Sequence, residues 1–167
     1  MGKKALILLS IISLLFASAG SVRAEDRIAN KAEDRTASLY FEKYKEGKST
    51  ISYKVMVAPG QAINAAGIDI NYDPEDLKIL SINKDDSFCE LFIEEKFDNA
   101  AGKVNFSCGK PYPGIATTSE IFKIFFTKIK TGTTTLAFAG DNLVLANDGF
   151  GTDVLREARD LEVYVKK

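Results

Sequence analysis

The chain has no histidine and no tryptophan among its 167 residues, and it has only two cysteines. Without histidine, Ser-His-Asp and Cys-His catalysis, imidazole general bases and histidine-ligated zinc are excluded. The remaining acid–base chemistry would need a pair of Asp or Glu carboxylates in glycosidase-type geometry. No such pair stands out at facing strand ends. The sequence therefore predicts no catalytic residue and no enzymatic activity.

Basic clusters are also missing, because 22 Lys and Arg residues are scattered among 23 Asp and Glu residues. This distribution predicts no nucleic-acid partner. Asp141, Asp148 and Asp153 lie in one turn-rich region, and carboxylate oxygens suit calcium, but their spacing is not that of an EF-hand. Hydrogen bonding within a turn is the alternative role for Asp148, which precedes Gly149. We predict no metal and no cofactor.

The N-terminus carries an apolar run that continues with few interruptions through residues 5–16, after two lysines and before small residues. This layout is typical of a secretory signal peptide. Cleavage is possible after Ala19 or Ala24, and we favour Ala24 because a charged segment follows it. A membrane anchor is the alternative, but the run is short for a span. Loss of residues 1–24 changes the formal net charge from −1 to −4, since three basic residues and no acid are lost. We expect a secreted, extracellular protein with no membrane partner after cleavage.

The predicted mature chain divides into two parts. Residues 25–37, EDRIANKAEDRTA, are charged and poor in large apolar side chains, which predicts a flexible lead-in, with a short solvated helix as the alternative. Residues 38–167 are long enough to form one domain with its own core.

Residues 65–82, AAGIDINYDPEDLKILSI, are the centre of the predicted fold. Ile68, Ile70 and Tyr72 alternate with polar residues, which is the period of a half-buried strand. Asp73-Pro74 turns the chain, because proline offers no amide to a ladder. A second strand follows. Similar apolar segments predict further strands at 39–41, 51–57, 121–129, 134–139, 143–145 and 161–165. Many short strands without a helical period predict an all-β sandwich.

The two cysteines lie at the ends of a predicted hairpin. Pairing Ile93 with Val104 across antiparallel strands would place Leu91 inward and bring Cys89 opposite Cys108. In an exported protein this predicts a disulfide. Two buried free thiols that pack as small apolar groups are the alternative.

Four segments resemble the cohesin domain and its relatives among carbohydrate-binding modules. These segments are residues 63–82, GKVNFS at 102–107, EIFKIFFTKIKTG at 120–132 and LVLANDGFGTDVL at 143–155. The resemblance implies a jelly-roll β-sandwich of about nine strands. It also implies a non-catalytic module that binds a dockerin-like protein domain in polysaccharide-degrading or cell-surface assemblies.

In cohesins the dockerin lies across one sheet, and the resemblance places a partner-binding face on the corresponding strands here. Its expected members are Asp69, Asn71, Phe92, Glu94, Lys103, Asn105 and Ser107. Phe92 is the expected apolar anchor. An ordinary solvated sheet face is the alternative for the polar members. The alternative function is polysaccharide binding, for which Tyr112 and Phe150 would supply the rings.

Overall fold

The computed structural model describes residues 35–166, which form eleven β-strands and no helix. The strands are β1 (Ala37–Glu46), β2 (Thr50–Ala58), β3 (Ile63–Asn71), β4 (Leu77–Asn83), β5 (Leu91–Asp98), β6 (Lys103–Gly109), β7 (Ser119–Lys128), β8 (Gly132–Phe138), β9 (Leu143–Ala146), β10 (Leu155–Arg159) and β11 (Leu161–Val165). The all-β prediction is confirmed, with eleven strands where about nine were expected. The predicted signal peptide and most of the predicted lead-in lie outside the described residues.

Two sheets pack face to face. The five-stranded sheet has the order β10-β1-β2-β7-β4, and the six-stranded sheet has the order β11-β8-β3-β6-β5, with β9 also paired to β3. Every pairing is antiparallel except that of β1 with β10, which is parallel. Strand β3, predicted as the centre of the fold, therefore lies in the middle of the six-stranded sheet.

The core is built from alternate residues of both sheets. Ile68 and Ile70 on β3 are each 1% exposed, and the side chains of Phe122, Ile124 and Phe126 on β7 are fully buried, as their alternation predicts. Aromatic contacts join the sheets: the Phe106 and Phe122 rings lie 4.4 Å apart between centroids, and the Tyr72 and Phe126 rings 5.5 Å apart. Each large side chain buried here contributes about 1.5–3 kcal/mol to stability.

A bulge interrupts β4 and explains its irregular pattern. The pairing with β7 shifts between Ile79 and Ser81, so Leu80 is 56% exposed. The side chain of Asn99 accepts a hydrogen bond from the Ile79 N–H at 2.7 Å and donates one to the Ile79 carbonyl at 3.0 Å. The Tyr72 hydroxyl donates a further bond to Asn99 at 2.7 Å. The Asn99 amide thus occupies the place of a neighbouring strand at the edge of β4.

The predicted register of the β5–β6 hairpin is wrong. Phe97, and not Ile93, lies opposite Val104, because the turn is shorter than expected. Farther from the turn the pairing shifts around Ile93, so that Phe92 lies opposite Cys108. The Asp98 carboxylate accepts a hydrogen bond from the Ala100 N–H at 2.7 Å, and hydrogen bonds from the backbone of this turn lower the pKa of Asp98. Every residue of β5 is exposed, Leu91 included at 57%, so no buried face of this strand fixed the register.

A disulfide joins Cys89 to Cys108, with Cα atoms 5.8 Å apart. Cys89 lies just before β5, so the disulfide links the segment that leads into this edge strand to β6. In the loop-entropy account, a bond that closes a loop of this length stabilises the fold by about 3 kcal/mol.

Strand β10 was not predicted. Its sequence, LREAR, is charged, and it pairs only with β1 at the edge of the five-stranded sheet. No helix among residues 35–166 is long and apolar enough to span a bilayer.

Candidate functional site

The candidate site is the outward surface of β3, β6 and β5, which we call the outer face of the six-stranded sheet. The strand registers bring six of the seven predicted residues together here: Asp69, Asn71, Glu94, Lys103, Asn105 and Ser107. They form three rows across the strands, which are Gly67–Ser107–Glu94, Asp69–Asn105–Lys96 and Asn71–Lys103–Asp98. Lys96 and Asp98 complete two of these rows and were not predicted as site residues.

Phe92, the seventh predicted residue, lies on the opposite side of the sheet. It pairs with Cys108, whose side chain is buried, and its ring centroid is 6.1 Å from that of the buried Phe106. The bulge at Ile93 causes this placement, because it reverses the alternation between Phe92 and Glu94. The outer face therefore lacks the apolar anchor that the sequence suggested.

Asp69 is held by contacts from both neighbouring elements. Strand β9 pairs with β3 as far as Gly67 and β8 pairs from Ile70 onward, which leaves the backbone of Asp69 between them. The Asp69 N–H donates to Asn142 Oδ1 at 2.8 Å, and its carbonyl accepts the Ala139 N–H at 2.8 Å. Its carboxylate accepts Asn105 Nδ2 at 2.6 Å. The β8–β9 loop thus fixes a charged group at the centre of the site.

A shallow depression of about 210 Å³ lies in the polar part of the outer face. Asp69, Asn71, Lys103, Asn105 and Asp141 line it together with two neighbouring residues. Carboxylates, amides and an ammonium group line the depression, which therefore offers both donors and acceptors of hydrogen bonds. It can bind a positively or a negatively charged group of a partner. In the part of the chain that the structure describes, no cluster of three His, Cys, Asp or Glu side chains could hold a metal ion.

The start of β3 adds an apolar part to the same face. Leu143 on β9 lies over Gly67, where an added Cβ would come within 3.2 Å of Leu143 Cγ, and Leu143 is 37% exposed. Leu145 pairs with Ala65, and Leu91 joins the same row through Gly109. Sequence reasoning missed this patch, because its members come from three strands that are distant in the chain. Leu143 and Leu91 supply the exposed apolar groups that Phe92 does not.

Tyr112 and Phe150, the alternative ring pair, project from two loops at one end of the sandwich. They are 88% and 90% exposed. Asn147 Nδ2 donates to the Pro113 carbonyl at 2.7 Å and so joins the two loops. Asp148 accepts the Phe150 N–H at 2.8 Å, and hydrogen bonds from Thr152 and Phe150 lower its pKa. Asp148 therefore stabilises its own turn.

No family model matches the chain, and no curated protein matches it. Solved structures do match. A type I cohesin–dockerin complex of Clostridium thermocellum matches at TM-score 0.63 and 15% identity, covering 78% of this chain and 99% of the other. A non-cellulosomal cohesin of the archaeon Archaeoglobus fulgidus matches at TM-score 0.63 and 11% identity, covering 79% and 92%. A type I cohesin of Pseudobacteroides cellulosolvens matches at TM-score 0.61 and 18% identity, covering 78% and 92%. The described part of this chain therefore has the cohesin fold, as the resemblance in the sequence predicts.

Proposed function

We propose that this protein is a secreted, non-catalytic interaction module that binds a dockerin-like protein domain through the outer face of its six-stranded sheet. One observation carries the proposal: three polar rows and an exposed apolar patch adjoin on the central strand β3 and its neighbours. Several matched structures are complexes of cohesins with dockerins, which supports a partner of this class. The setting we propose is a polysaccharide-degrading or cell-surface assembly.

The two parts of the face would contribute differently. Leu143 and Leu91 would lose water on binding and supply affinity, because buried apolar anchors dominate interface energetics. Asp69, Asn105 and Lys103 would fix the orientation of the partner and select for complementary charge. Since Asp69 is held by the β8–β9 loop and by Asn105, little side-chain ordering remains to oppose binding.

The test is capture of secreted proteins of the source organism on the immobilised chain, residues 25–167, with and without a calcium chelator. We expect retention of a protein that carries a dockerin-type calcium-loop repeat, and its loss on chelation. Lys103→Glu should weaken capture by about tenfold or more, whereas Lys78→Glu should not. Both lysines are exposed on strands, but Lys78 lies on the five-stranded sheet. Equal capture by both variants would contradict the proposed face.

Polysaccharide binding is a second candidate function, favoured by the exposure of Tyr112 and Phe150 on two joined loops. Aromatic rings in such positions can stack on sugar faces. Retention on insoluble polysaccharide that is lost in Tyr112→Ala and Phe150→Ala, and unchanged in Lys103→Glu, would move the function to this end of the sandwich.

A further inference from the structure

Exposed apolar side chains concentrate on one flank of the sandwich. Ten large apolar side chains are exposed in the described residues, and five of them lie on the edge strands β4 and β5: Leu80, Leu91, Phe92, Ile93 and Phe97. These two strands end their sheets on the same side, where Lys84 forms an ion pair with Glu95. Such a concentration of exposed apolar side chains along two edge strands indicates an interaction surface at this flank.

The two edges of this flank differ in their backbone groups. On β4, the amide of Asn99 satisfies both the N–H and the carbonyl of Ile79. On β5, no strand of the described residues pairs with the outer edge, and all eight of its residues are exposed. A free edge of this length can pair with another strand.

The charges of β5 are complementary to those of a second β5. A two-fold axis perpendicular to the sheet makes the two strands antiparallel and keeps both outer faces on one side, so residues of the same face must pair. Beyond the bulge, Glu94 and Lys96 lie on the outer face and Glu95 on the inner face. Centring the pair on Glu95 places each Glu94 opposite Lys96 of the partner subunit.

The two registers centred on the residues next to Glu95 bring like charges together on the outer face. A register centred on Glu94 places the two Glu94 carboxylates opposite each other. A register centred on Lys96 places the two Lys96 ammonium groups opposite each other. In the register centred on Glu95, the two Glu95 carboxylates lie opposite each other. Their repulsion is reduced, because Lys84 forms an ion pair with Glu95 within each subunit. The same register brings Ile93, which is 78% exposed, opposite Phe97 of the partner subunit.

We propose that the free edge of β5 pairs with β5 of a second copy of this chain, in the register that places Glu94 opposite Lys96 of the partner subunit. The pairing is independent of the proposed dockerin-like binding, since it leaves the outer face of the six-stranded sheet uncovered. It would present two such faces on the same side of a continuous sheet.

Sedimentation velocity of residues 25–167 over a range of concentrations tests this proposal. We expect a concentration-dependent monomer–dimer equilibrium. Glu94→Lys should raise the dissociation constant by about tenfold or more, because it sets Lys against Lys twice. The double variant Glu94→Lys/Lys96→Glu should restore dimerisation, because it exchanges the two partners of each pair. Glu162→Lys, on the opposite edge strand β11, is the matched control and should leave the equilibrium unchanged.

Circular dichroism would verify that each variant is folded. A wild-type chain that stays monomeric at every concentration would overturn the proposal. A dimer that Glu94→Lys does not weaken, or that the double variant does not restore, would overturn the register and the two-fold pairing with it.

Discussion

Lys128 is buried at the end of β7 and closes one end of the sandwich. Its side chain is 2% exposed, and its ammonium group donates to Glu46 Oε1 at 2.5 Å, to the Gly47 carbonyl at 3.0 Å and to the Lys166 carbonyl at 2.9 Å. These contacts join the β1–β2 turn to the segment after β11. Lys128→Met would keep most of the packing of the aliphatic stem and remove all three bonds.

We expect Lys128→Met to lower the free energy of unfolding by about 3 kcal/mol. Hydrogen bonds to a charged group contribute roughly 1.5–3 kcal/mol each, and the relief of burying the ammonium group offsets part of their loss. For a domain of this size, the change corresponds to a fall in Tm of roughly 10 °C. Urea unfolding followed by circular dichroism measures it, since the chain has no tryptophan to report fluorescence.

Lys130→Met is the matched control. Lys130 pairs with Glu75 at 2.9 Å, but the two side chains are 55% and 76% exposed. An exposed pair of this kind contributes little to stability, because water and salt screen it. If Lys128→Met and Lys130→Met destabilise the protein equally, the end of the sandwich does not depend on the buried ammonium group.

The Lys128–Glu46 pair also gives stability a defined dependence on pH. Hydrogen bonds from Lys128 and Lys43 lower the pKa of Glu46 from 4.5 to about 2. A carboxyl whose pKa is lower in the folded state stabilises the fold above its unfolded pKa, and this stabilisation is lost as the pH falls from about 4.5 to about 2. The Glu46 side chain is 31% exposed, so solvent screening limits the effect. Wild type should lose more stability than Lys128→Met across this range, and equal losses would refute the assignment.

Three further changes test the β4–β5–β6 region by urea unfolding. Asn99→Ala should destabilise by about 2 kcal/mol, because it removes the amide that closes the edge of β4; a loss below 0.5 kcal/mol would show that water replaces it. Gly102→Ala should cost about 3 kcal/mol, since Gly102 has φ +65° and an added Cβ would lie 2.1 Å from the Tyr72 carbonyl oxygen; an unchanged midpoint would contradict this geometry. Reduction of the Cys89–Cys108 disulfide should cost about 3 kcal/mol, and a Cys89→Ala/Cys108→Ala double variant should match the reduced protein.

Strands with an unbroken alternation were predictable from the sequence. In β3 every second side chain from Ala66 to Ile70 is buried, so the apolar period directly indicates the inward face. In β7 the large side chains of Phe122, Ile124 and Phe126 follow the same period, although Ile121 and Lys123 are buried as well. The same regularity explains why Asp69, Asn71 and the outward residues of β6 were correctly expected to share a face.

Bulges and distant contacts were not predictable in this way. The shift around Ile93 depends on how β5 meets β6, and it moved Phe92 to the inner side while Glu94 stayed outside. The position of Leu143 over Gly67 depends on β9 meeting β3 across a long stretch of chain. The charged strand β10 has no clear apolar period, so its place beside β1 could not be predicted from its own sequence.

The parallel pairing of β1 with β10 bears on how the domain transmits mechanical force. The chain enters β1 beside Val154 and leaves β11 beside Lys128, at opposite ends of a strand ten residues long, or about 33 Å. Tension applied between residues 35 and 166 would run along the strands. Strand β1 is held on one side by β2 and on the other by β10, so both ladders would be sheared and their hydrogen bonds would have to break together. Resistance to such a pull would therefore come from both ladders of β1 at once.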